Sequence, residues 1–350
     1  MAAWHGRLAK ELRNTGISQI YPKYALHKDL FEACDIEKWF IPEFRAALGP
    51  WQASRRAEDV DIEKLPRVRL DGPGIISFDC LSNEFCDMLV NEASHYRSLG
   101  MPQQAPNSMN NYGLVLNEVG LRPTFDQVLQ GFLLGIGARL FGGDANRATE
   151  LHGQPLGTDM WGGGTLDYHH TFIVRYRPDE DRHLDMHVDD CDVTFNFGLT
   201  EASDFGGSDL AFCGMRWSES HRRHSCTYKH EKGRCVVHAG KLRHGAMDIK
   251  SGERHNLIVW TKSKGYRQTV DYQLKSLGPV KDEVADPDRM CLSETHDHDF
   301  DMWLRRLAGE TPAEPLSADF DEKGKPVLPV GSRGVTPATE EKHQAERPHE

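Results

Sequence analysis

The spacing of apolar and polar residues changes along the chain, and the change separates a helical part from a strand-rich part. Apolar residues recur at helical spacing over residues 30–40 and again over residues 125–140, which predicts helical structure in each stretch. Ser82 stands before another apolar face at residues 85–89, and its hydroxyl is a typical helix cap. The first 65 residues mix charged with aromatic side chains, and we expect them to form a helical accessory region packed on a main domain.

From about residue 165 the pattern changes to the two-residue period of a β-strand. Residues 172–176 and 193–199 alternate, and shorter apolar runs follow at residues 235–237 and 257–260. Glycine-rich turns separate these runs, and short strands joined by such turns are typical of a sandwich or a jelly-roll barrel. We therefore predict an α+β fold with a double-stranded β-helix (jelly-roll) core and flanking N-terminal helices.

The last part of the chain differs in composition from the rest. After residue 308, prolines and acidic residues dominate, and Phe320 is the one aromatic residue. Such a segment cannot bury enough apolar surface to offset its ordering entropy, so we expect it to be a disordered tail. The predicted organisation is a helical accessory region at residues 1–65, a jelly-roll domain at 66–265, a C-terminal extension at 266–308 and the tail at 309–350.

The chain has 350 residues and a formal net charge of −11, and these values argue against several classes of protein. A general nucleic-acid binder would need an excess of lysine and arginine. No apolar run is long enough to span a bilayer, and the N-terminus lacks the apolar core of a secretory signal, so we expect a cytoplasmic or nuclear protein. The eight cysteines include no CxxC pair, which favours reduced thiols over a disulfide framework.

Three His-x-Asp motifs, beginning at His27, His183 and His187, are candidates for a metal site. A mononuclear Fe(II) oxygenase binds its metal with two imidazoles and one carboxylate. Because the chain contains 18 histidines, a single His-x-Asp match carries little information. Context favours His187 and Asp189, which come shortly before an alternating strand. By contrast, His27 lies in the helical region and His183 follows a charged loop.

The third metal ligand is expected on a later strand, where His238 and His244 are both candidates. Arg254 follows His244 by ten residues and begins a strongly apolar strand. Its planar guanidinium could bind the far carboxylate of a dicarboxylate that chelates the metal, and this favours His244. The alternative is that Arg254 only places its charge at the end of a strand.

Several segments together resemble the 2-oxoglutarate and Fe(II)-dependent oxygenases. Within that superfamily they resemble the prolyl/lysyl hydroxylase (PKHD-type) branch, including its intracellular oxygenase-domain-containing proteins. The segments are residues 184–196, 205–210, 238–246 and 251–254. The resemblance covers roughly residues 75–265, and we can assign no counterpart to the first 65 residues or to the tail.

This resemblance implies a role for six residues. The implied metal ligands are His187, Asp189 and His244. Arg254 is the implied clamp for 2-oxoglutarate. Tyr176 lies on the strand that enters the His-x-Asp loop, and Asn196 stands seven residues after the metal aspartate, as in collagen lysyl hydroxylases. The resemblance implies that both lie near the cosubstrate.

The resemblance also implies an enzyme, a 2-oxoglutarate-dependent dioxygenase. It would couple oxidative decarboxylation of 2-oxoglutarate to hydroxylation of a C–H bond, with a peptidyl proline or lysine as the expected target. The implied cofactors are Fe(II) and 2-oxoglutarate, with O₂ as cosubstrate, and L-ascorbate is expected to support turnover. We expect a peptide or protein substrate and no membrane partner.

Two alternatives stay open. One is a catalytically inactive jelly roll that binds a metal or a partner. The other is a zinc-binding module centred on residues 213–235, where cysteines and histidines cluster without the paired spacing of structural zinc sites.

Overall fold

The structure is a computed structural model in which two units are recognised, residues 1–303 and residues 304–350. The described residues are 16–142, 150–151, 154–155, 165–278, 280–281, 286–295, 299, 303–305 and 307–309. In the second unit the backbone N–H of Ala308 donates to the carbonyl of Leu304. The predicted disordered tail lies outside the described residues except for Gly309. The elements below all belong to the first unit.

Helices dominate the first part of the described chain. The α-helices are α1 (Ile17–Ile20), α2 (Asp29–Glu32), α3 (Pro42–Ser54), α4 (Asn83–Ser98), α5 (Arg122–Val128), α6 (Leu134–Phe141), α7 (Lys264–Arg267) and α8 (Val270–Tyr272). Tighter 3-10 turns occupy Tyr21–Lys23, Ile36–Trp39, Ala57–Asp59, Ile62–Lys64 and Arg289–Cys291. Wider π-helical turns occupy Asn117–Leu121, Leu129–Leu133 and Gln273–Leu277.

The predicted helices are present, with two differences in detail. Ser82 caps α4 as expected, because its side chain accepts a hydrogen bond of 3.2 Å from the backbone N–H of Phe85. The stretch 125–140 is helical, but a π-helical turn interrupts it between α5 and α6. The stretch 30–40 forms a short helix and a 3-10 turn instead of one continuous helix. Ala33 and Asp35, which lie between them, both have positive φ angles that end a right-handed helix.

Strands dominate the second part, where the alternating pattern predicts them. The strands are β1 (Arg69–Gly72), β2 (Ile75–Asp79), β3 (Gly113–Val115), β4 (Glu150–Leu151), β5 (Gln154–Pro155), β6 (Tyr168–Tyr176), β7 (Leu184–His187), β8 (Val193–Gly198), β9 (Phe205–Gly207), β10 (Leu210–Met215), β11 (Cys226–Tyr228), β12 (Arg234–Ala239), β13 (Leu242–Ala246), β14 (Ile249–Gly252) and β15 (Arg254–Lys262). All four predicted runs lie in strands, namely β6, β8, β12 and β15.

Two antiparallel sheets contain most of these strands. A seven-stranded sheet has the order β1-β2-β12-β8-β15-β6-β3, and a four-stranded sheet has the order β11-β10-β13-β7. One apolar cluster joins residues from both sheets, for example Phe172 of β6 and Phe212 of β10. The two sheets therefore face each other across a shared core. The described part is a mixed helix-and-sheet fold with antiparallel sheets, as predicted at that level.

The N-terminal helices share a hydrophobic core with the seven-stranded sheet. Phe44 of α3 stacks on Phe78 of β2 with 5.8 Å between ring centroids, and both side chains are fully buried. Gly135 of α6 leaves room for Trp51 of α3, because a Cβ atom at position 135 would lie 2.3 Å from the indole. These helices therefore cover the face of the large sheet that lies away from the four-stranded sheet.

The prediction that the cysteines are reduced thiols is wrong for one pair. Cys213 of β10 and Cys291 form a disulfide, with 6.1 Å between their Cα atoms, while the other six cysteines are free. The two residues are 78 positions apart in the sequence, and only the path of the chain after β15 brings them together. Sequence spacing alone therefore could not indicate this pairing.

Among the helices that the structure describes, none combines the length and the apolar character needed to cross a membrane.

Candidate active site

Three metal-binding side chains converge at the edge of the four-stranded sheet. His187 is the last residue of β7, Asp189 follows two residues later, and His244 pairs with His187 from the neighbouring strand β13. A carboxylate oxygen of Asp189 lies 3.3 Å from His187 Nε2, and the other lies 3.7 Å from His244 Nε2. One donor atom from each residue can be chosen so that all lie within 4.8 Å of one another. In the described part of the chain this is the one group of three or more such donors.

Both imidazoles are oriented by backbone carbonyl groups. The Nδ1 atoms of His187 and His244 each lie 2.8 Å from a carbonyl oxygen, those of Asp185 and Leu242 respectively. A carbonyl oxygen can only accept a hydrogen bond, so each Nδ1 carries a proton, and the Nε2 atoms face Asp189 as the ring atoms that could bind a metal. Burial lowers the pKa of His244 to about 3, which keeps this ring neutral and able to bind a metal near neutral pH.

Asp189 is buried, yet its surroundings keep it ionised. Burial alone would raise the pKa of Asp189, but His244 and His187 outweigh that effect and hold the pKa well below its usual range. The Thr194 hydroxyl donates to Asp189 Oδ2 at 2.5 Å, and the backbone N–H of Asp189 donates to the Gly240 carbonyl at 2.8 Å. A Cβ atom at Gly240 would lie 2.2 Å from the Cys191 carbonyl oxygen, so this close loop contact requires glycine.

Arg254 forms the opposite end of the site, on the seven-stranded sheet. It is the first residue of β15, it pairs in register with Tyr176 of β6, and it is 2% exposed. Its guanidinium carbon lies 4.4 Å from the centroid of the Tyr176 ring. Within the described residues its Nε and Nη1 atoms have no hydrogen-bond partner, although both are buried. Burial lowers the pKa of Arg254 to about 10, so the group stays charged at neutral pH.

These unpaired donors indicate an anion-binding position. A buried guanidinium without hydrogen-bond partners is costly, and a carboxylate is the group that its planar fork binds best. Arg254, the triad, Tyr176 and Asn196 all line one cavity between the two sheets. The cavity therefore combines three metal donors with an arginine suited to a carboxylate, and this set of groups fits the metal-chelating dicarboxylate that the sequence predicts.

Tyr176 and Asn196 lie in this cavity on hydrogen-bonded supports. The Tyr176 hydroxyl accepts a hydrogen bond of 3.2 Å from Asn110 Nδ2, and the Asn196 side-chain oxygen accepts one of 2.7 Å from Asn256 Nδ2. Asn256 Nδ2 also lies 3.0 Å from His230 Nδ1. Both predicted residues therefore lie beside the site. The residues that support them, Asn110, Asn256 and His230, are also buried.

The competing candidates lie elsewhere. His183 Nδ1 lies 3.2 Å from Asp248 Oδ1, and Asp185 accepts hydrogen bonds from Ser293 and Thr295, so this second His-x-Asp motif does not converge. His238 is buried with its ring centroid 4.6 Å from that of His244, but it is outside the converging triad. The region 213–235 contains no converging group of three metal donors among the described residues, and Cys213 is committed to a disulfide.

The predicted site residues leave out four residues that lie at the site, and strand alternation indicates two of these four. Thr194 lies two residues before Asn196 on β8 and Asn256 two residues after Arg254 on β15, so alternation places each on the same inner face as a predicted residue. Asn110 comes from the loop between α4 and β3 and His230 from the loop between β11 and β12, and no periodicity operates in such loops. Only the fold brings these two residues to the cavity.

The site and its surroundings define a class of protein. Two imidazoles and one carboxylate on one side of a cavity are the ligand set of the mononuclear non-haem Fe(II) oxygenases.

Residues 17–144 match the OGFOD2-like domain family. The chain is 31% identical to the 2-oxoglutarate and iron-dependent oxygenase domain-containing protein ICU11 of Arabidopsis thaliana over 261 residues. This alignment covers 71% of this chain and 58% of that protein. Over 187 residues it is 33% identical to the human 2-oxoglutarate and iron-dependent oxygenase domain-containing protein 2, with 53% of this chain and 48% of that protein covered.

The chain is thus a homologue of the 2-oxoglutarate and iron-dependent oxygenase domain-containing proteins, and the resemblance seen in its motifs is confirmed. It spans about half to three-fifths of the length of these relatives. These relatives are named for the predicted enzyme class and for the predicted cofactors, iron and 2-oxoglutarate, and the triad of this chain is a ligand set that fits iron. The motifs assign no counterpart to the first 65 residues, but the family match begins at residue 17 and so gives one to residues 17–65.

Solved structures give weaker likenesses. A prolyl 4-hydroxylase from Phytophthora capsici is 14% identical, with a TM-score of 0.40 and coverage of 78% of this chain and 75% of that chain. A prolyl-4-hydroxylase from Pseudomonas putida is also 14% identical, with a TM-score of 0.33 and coverage of 64% of this chain and 96% of that chain. Neither likeness is close enough to carry an argument about this chain.

Proposed function

We propose that this chain is an Fe(II)- and 2-oxoglutarate-dependent dioxygenase that hydroxylates a C–H bond of a peptidyl proline or lysine. The observation that carries the proposal is the converging triad of His187, Asp189 and His244 in the same cavity as a buried Arg254 with unpaired donors. An inactive metal-binding barrel would have no need for a buried arginine that lacks a partner. A zinc module would need donors that converge outside this cavity.

We further infer that the two facing sheets form a double-stranded β-helix. The seven-stranded and four-stranded sheets are antiparallel and enclose the cavity, which is the arrangement that a jelly roll requires. The oxygenase domain is proposed at residues 66–265, with a helical region before it and an extension at 266–308 after it. The family match over residues 17–144 crosses the first of these boundaries, which supports a helical region that is continuous with the first strands of the proposed domain.

Each residue of the site has a defined task in this proposal. His187, Asp189 and His244 would hold the metal, and Thr194 would fix the Asp189 carboxylate through its hydroxyl. Arg254 would bind the far carboxylate of 2-oxoglutarate, and Tyr176 would keep the guanidinium flat against its ring. When bound, Fe(II) and 2-oxoglutarate supply oxidative decarboxylation coupled to insertion of oxygen into a C–H bond. The apolar walls, such as Phe172 and Ile258, would exclude water from that reaction.

The substrate is proposed as a peptide because the branch that the motifs resemble acts on prolyl and lysyl residues. The test incubates the purified protein with Fe(II), 2-oxoglutarate, L-ascorbate and panels of proline- and lysine-containing peptides. Mass spectrometry of the peptides and an assay for succinate are read together. We expect a peptide to gain one oxygen atom with equal formation of succinate.

Three other outcomes separate the alternatives. Succinate without any modified peptide would keep the oxygenase and reject the peptide substrate. Absence of both products from a protein that still binds Fe(II) would favour the inactive barrel. Tightly bound zinc that survives mutation of the triad would favour the zinc module. L-ascorbate is tested by omission, and we expect slower turnover without it.

A further inference from the structure

A segment after β15 crosses the outer face of the four-stranded sheet. We call residues 286–295 the strap. Its central residues Cys291, Leu292 and Ser293 are buried, whereas residues at both of its ends are exposed. The strap contacts β10, β13 and β7 in turn, and two of these strands carry the histidines of the triad.

The first contact is covalent. Cys291 forms a disulfide with Cys213 of β10. The residue before Cys213 is Phe212, which pairs with His244 and packs in the core between the sheets. Because successive residues of a strand point to opposite faces, Cys213 faces away from the cavity. It packs there with Met186 of β7 and Ala211.

The second contact reaches the strand of His244. Arg243 precedes His244 on β13, and its Nε donates to the Cys291 carbonyl at 2.7 Å. The same guanidinium also binds the Asp299 carboxylate, which is shared with Arg222. Cys291 of the strap and the nearby Asp299 therefore both bind Arg243, the residue next to His244 on β13.

The third contact reaches the strand of His187 through Asp185. Ser293 Oγ donates to Asp185 Oδ2 at 2.8 Å, and Thr295 donates to it from its backbone N–H at 2.5 Å and from its hydroxyl at 2.8 Å. The backbone carbonyl of Asp185 in turn accepts the hydrogen bond from His187 Nδ1. The strap thus fixes the residue that orients one imidazole of the triad.

We propose that the strap is a brace that holds β7 and β13 at the separation the metal site needs, with Asp185 and Arg243 as its positioning residues. The inference rests on the proposed function only in taking the triad as a metal site. β7 is a short edge strand of four residues, and its pairing with β13 is irregular between His244 and Ala246. Such a strand has little support from its own sheet, so contacts from outside the sheet decide where His187 lies.

The expected consequence is a change in metal affinity. Groups that orient metal ligands typically change affinity roughly 10- to 100-fold when they are removed. We expect Asp185→Asn, and separately the double variant Cys213→Ala/Cys291→Ala, to weaken binding of Co(II) within that range. At saturating Co(II) the visible absorption spectrum should return to that of the wild type, because the ligands themselves are unchanged.

Matched controls are available in the same chain. Asp179→Asn removes an exposed carboxylate that pairs with Arg177 outside the strap, and Cys34→Ala removes an exposed free thiol. Neither change should alter Co(II) affinity. Wild-type affinity in folded Asp185→Asn and in the double cysteine variant would overturn the brace. If the double variant fails to fold, Ser293→Ala combined with Thr295→Ala keeps the disulfide and tests the contact of the strap with Asp185.

Hydrogen exchange of the metal-free protein separates this inference from the proposed function. We expect the strap variants to speed amide exchange in β7 and β13 and to leave β6 and β15 unchanged. If the strap variants exchange at the wild-type rate in all four strands, the brace is rejected even if the metal site is real. The strap variants could show faster exchange than the wild type in β7 and β13 while the wild-type protein binds no metal. That result would keep the structural brace and reject the proposed function.

Discussion

The two ends of the cavity achieve their geometry in different ways. The triad end is built on short strands of the four-stranded sheet, and its donors are oriented by carbonyls, by Thr194 and by neighbouring loops. Arg254 begins a strand of nine residues, and β15 pairs with β6 along its whole length and with β8 along much of it. Its guanidinium stacks on Tyr176 but leaves donors unpaired.

This difference indicates where each end is vulnerable. The sheet itself fixes the backbone of Arg254, so the affinity for a carboxylate should depend mainly on the arginine side chain. The triad depends on several separate contacts, so removal of groups that never touch the metal should still weaken it. The following predictions test this contrast, beginning with the largest expected effect.

Replacement of His187 by alanine should abolish specific metal binding, because it removes one of three converging donors. The matched variant His183→Ala removes the histidine of the competing His-x-Asp motif, which is exposed and lies beside Asp248. We expect this variant to bind one equivalent of metal as tightly as the wild type. Calorimetric titration with Mn(II) measures both. Loss of binding in His183→Ala with retention in His187→Ala would reverse the assignment of the motif.

Replacement of Arg254 by alanine should raise the Kd of 2-oxoglutarate by a factor on the order of 100, since hydrogen bonds to charged groups contribute about 1.5–3 kcal/mol each. Arg254→Lys should be intermediate, because it keeps the charge and loses the planar fork. Titration of the Mn(II)-loaded protein with 2-oxoglutarate gives these values. The Kd of Mn(II) itself should not change, and a large change in it would show that the two ends are not independent.

Replacement of Thr194 by valine should weaken metal binding by roughly 10-fold, because Asp189 loses the hydroxyl that orients its carboxylate. Thr261→Val is the matched control, since the buried Thr261 hydroxyl donates to the Val193 carbonyl and does not reach Asp189. Titration with Mn(II) compares the two variants. Equal affinities would mean that the triad end is as insensitive to its surroundings as the arginine end.

Replacement of Ser82 by alanine should lower the free energy of unfolding by about 1 kcal/mol, because α4 loses its N-terminal cap. This helix lies outside the cavity, so the Kd values of Mn(II) and 2-oxoglutarate should stay at wild-type values. Urea denaturation measures the change in stability. An unchanged urea midpoint of unfolding would contradict the role of Ser82 as a helix cap. A change in either Kd would show that the helical region is coupled to the site.

The sequence allowed prediction of the strands and the converging residues because both obey local rules. Alternation identified β6 and β8, and an apolar run identified β15. The spacing from His187 to Asp189 and from His244 to Arg254 identified residues that share one cavity. The roles of these residues remain predictions. The contacts that support them, such as Asn110 on Tyr176 and the strap on Asp185, join segments far apart in sequence and follow no period.

Two errors have the same physical origin. The disulfide between Cys213 and Cys291 depends on how the chain returns across the sheet after β15, which cysteine spacing does not encode. The family match of the helical region was missed because buried aromatic residues such as Phe44 serve packing and carry no motif. Residues that bind ligands are recognisable by type and spacing, whereas residues that only pack are much less so.

The most direct test of the account compares succinate formation by the wild type and by Asp189→Ala with Fe(II), 2-oxoglutarate and O₂. Circular dichroism and thermal unfolding first establish that the variant is folded. The account predicts Fe(II)-dependent succinate formation by the wild type and none above background by the variant, because the carboxylate donor of the triad is absent. Succinate formation at the wild-type rate by folded Asp189→Ala would contradict the assignment of this site.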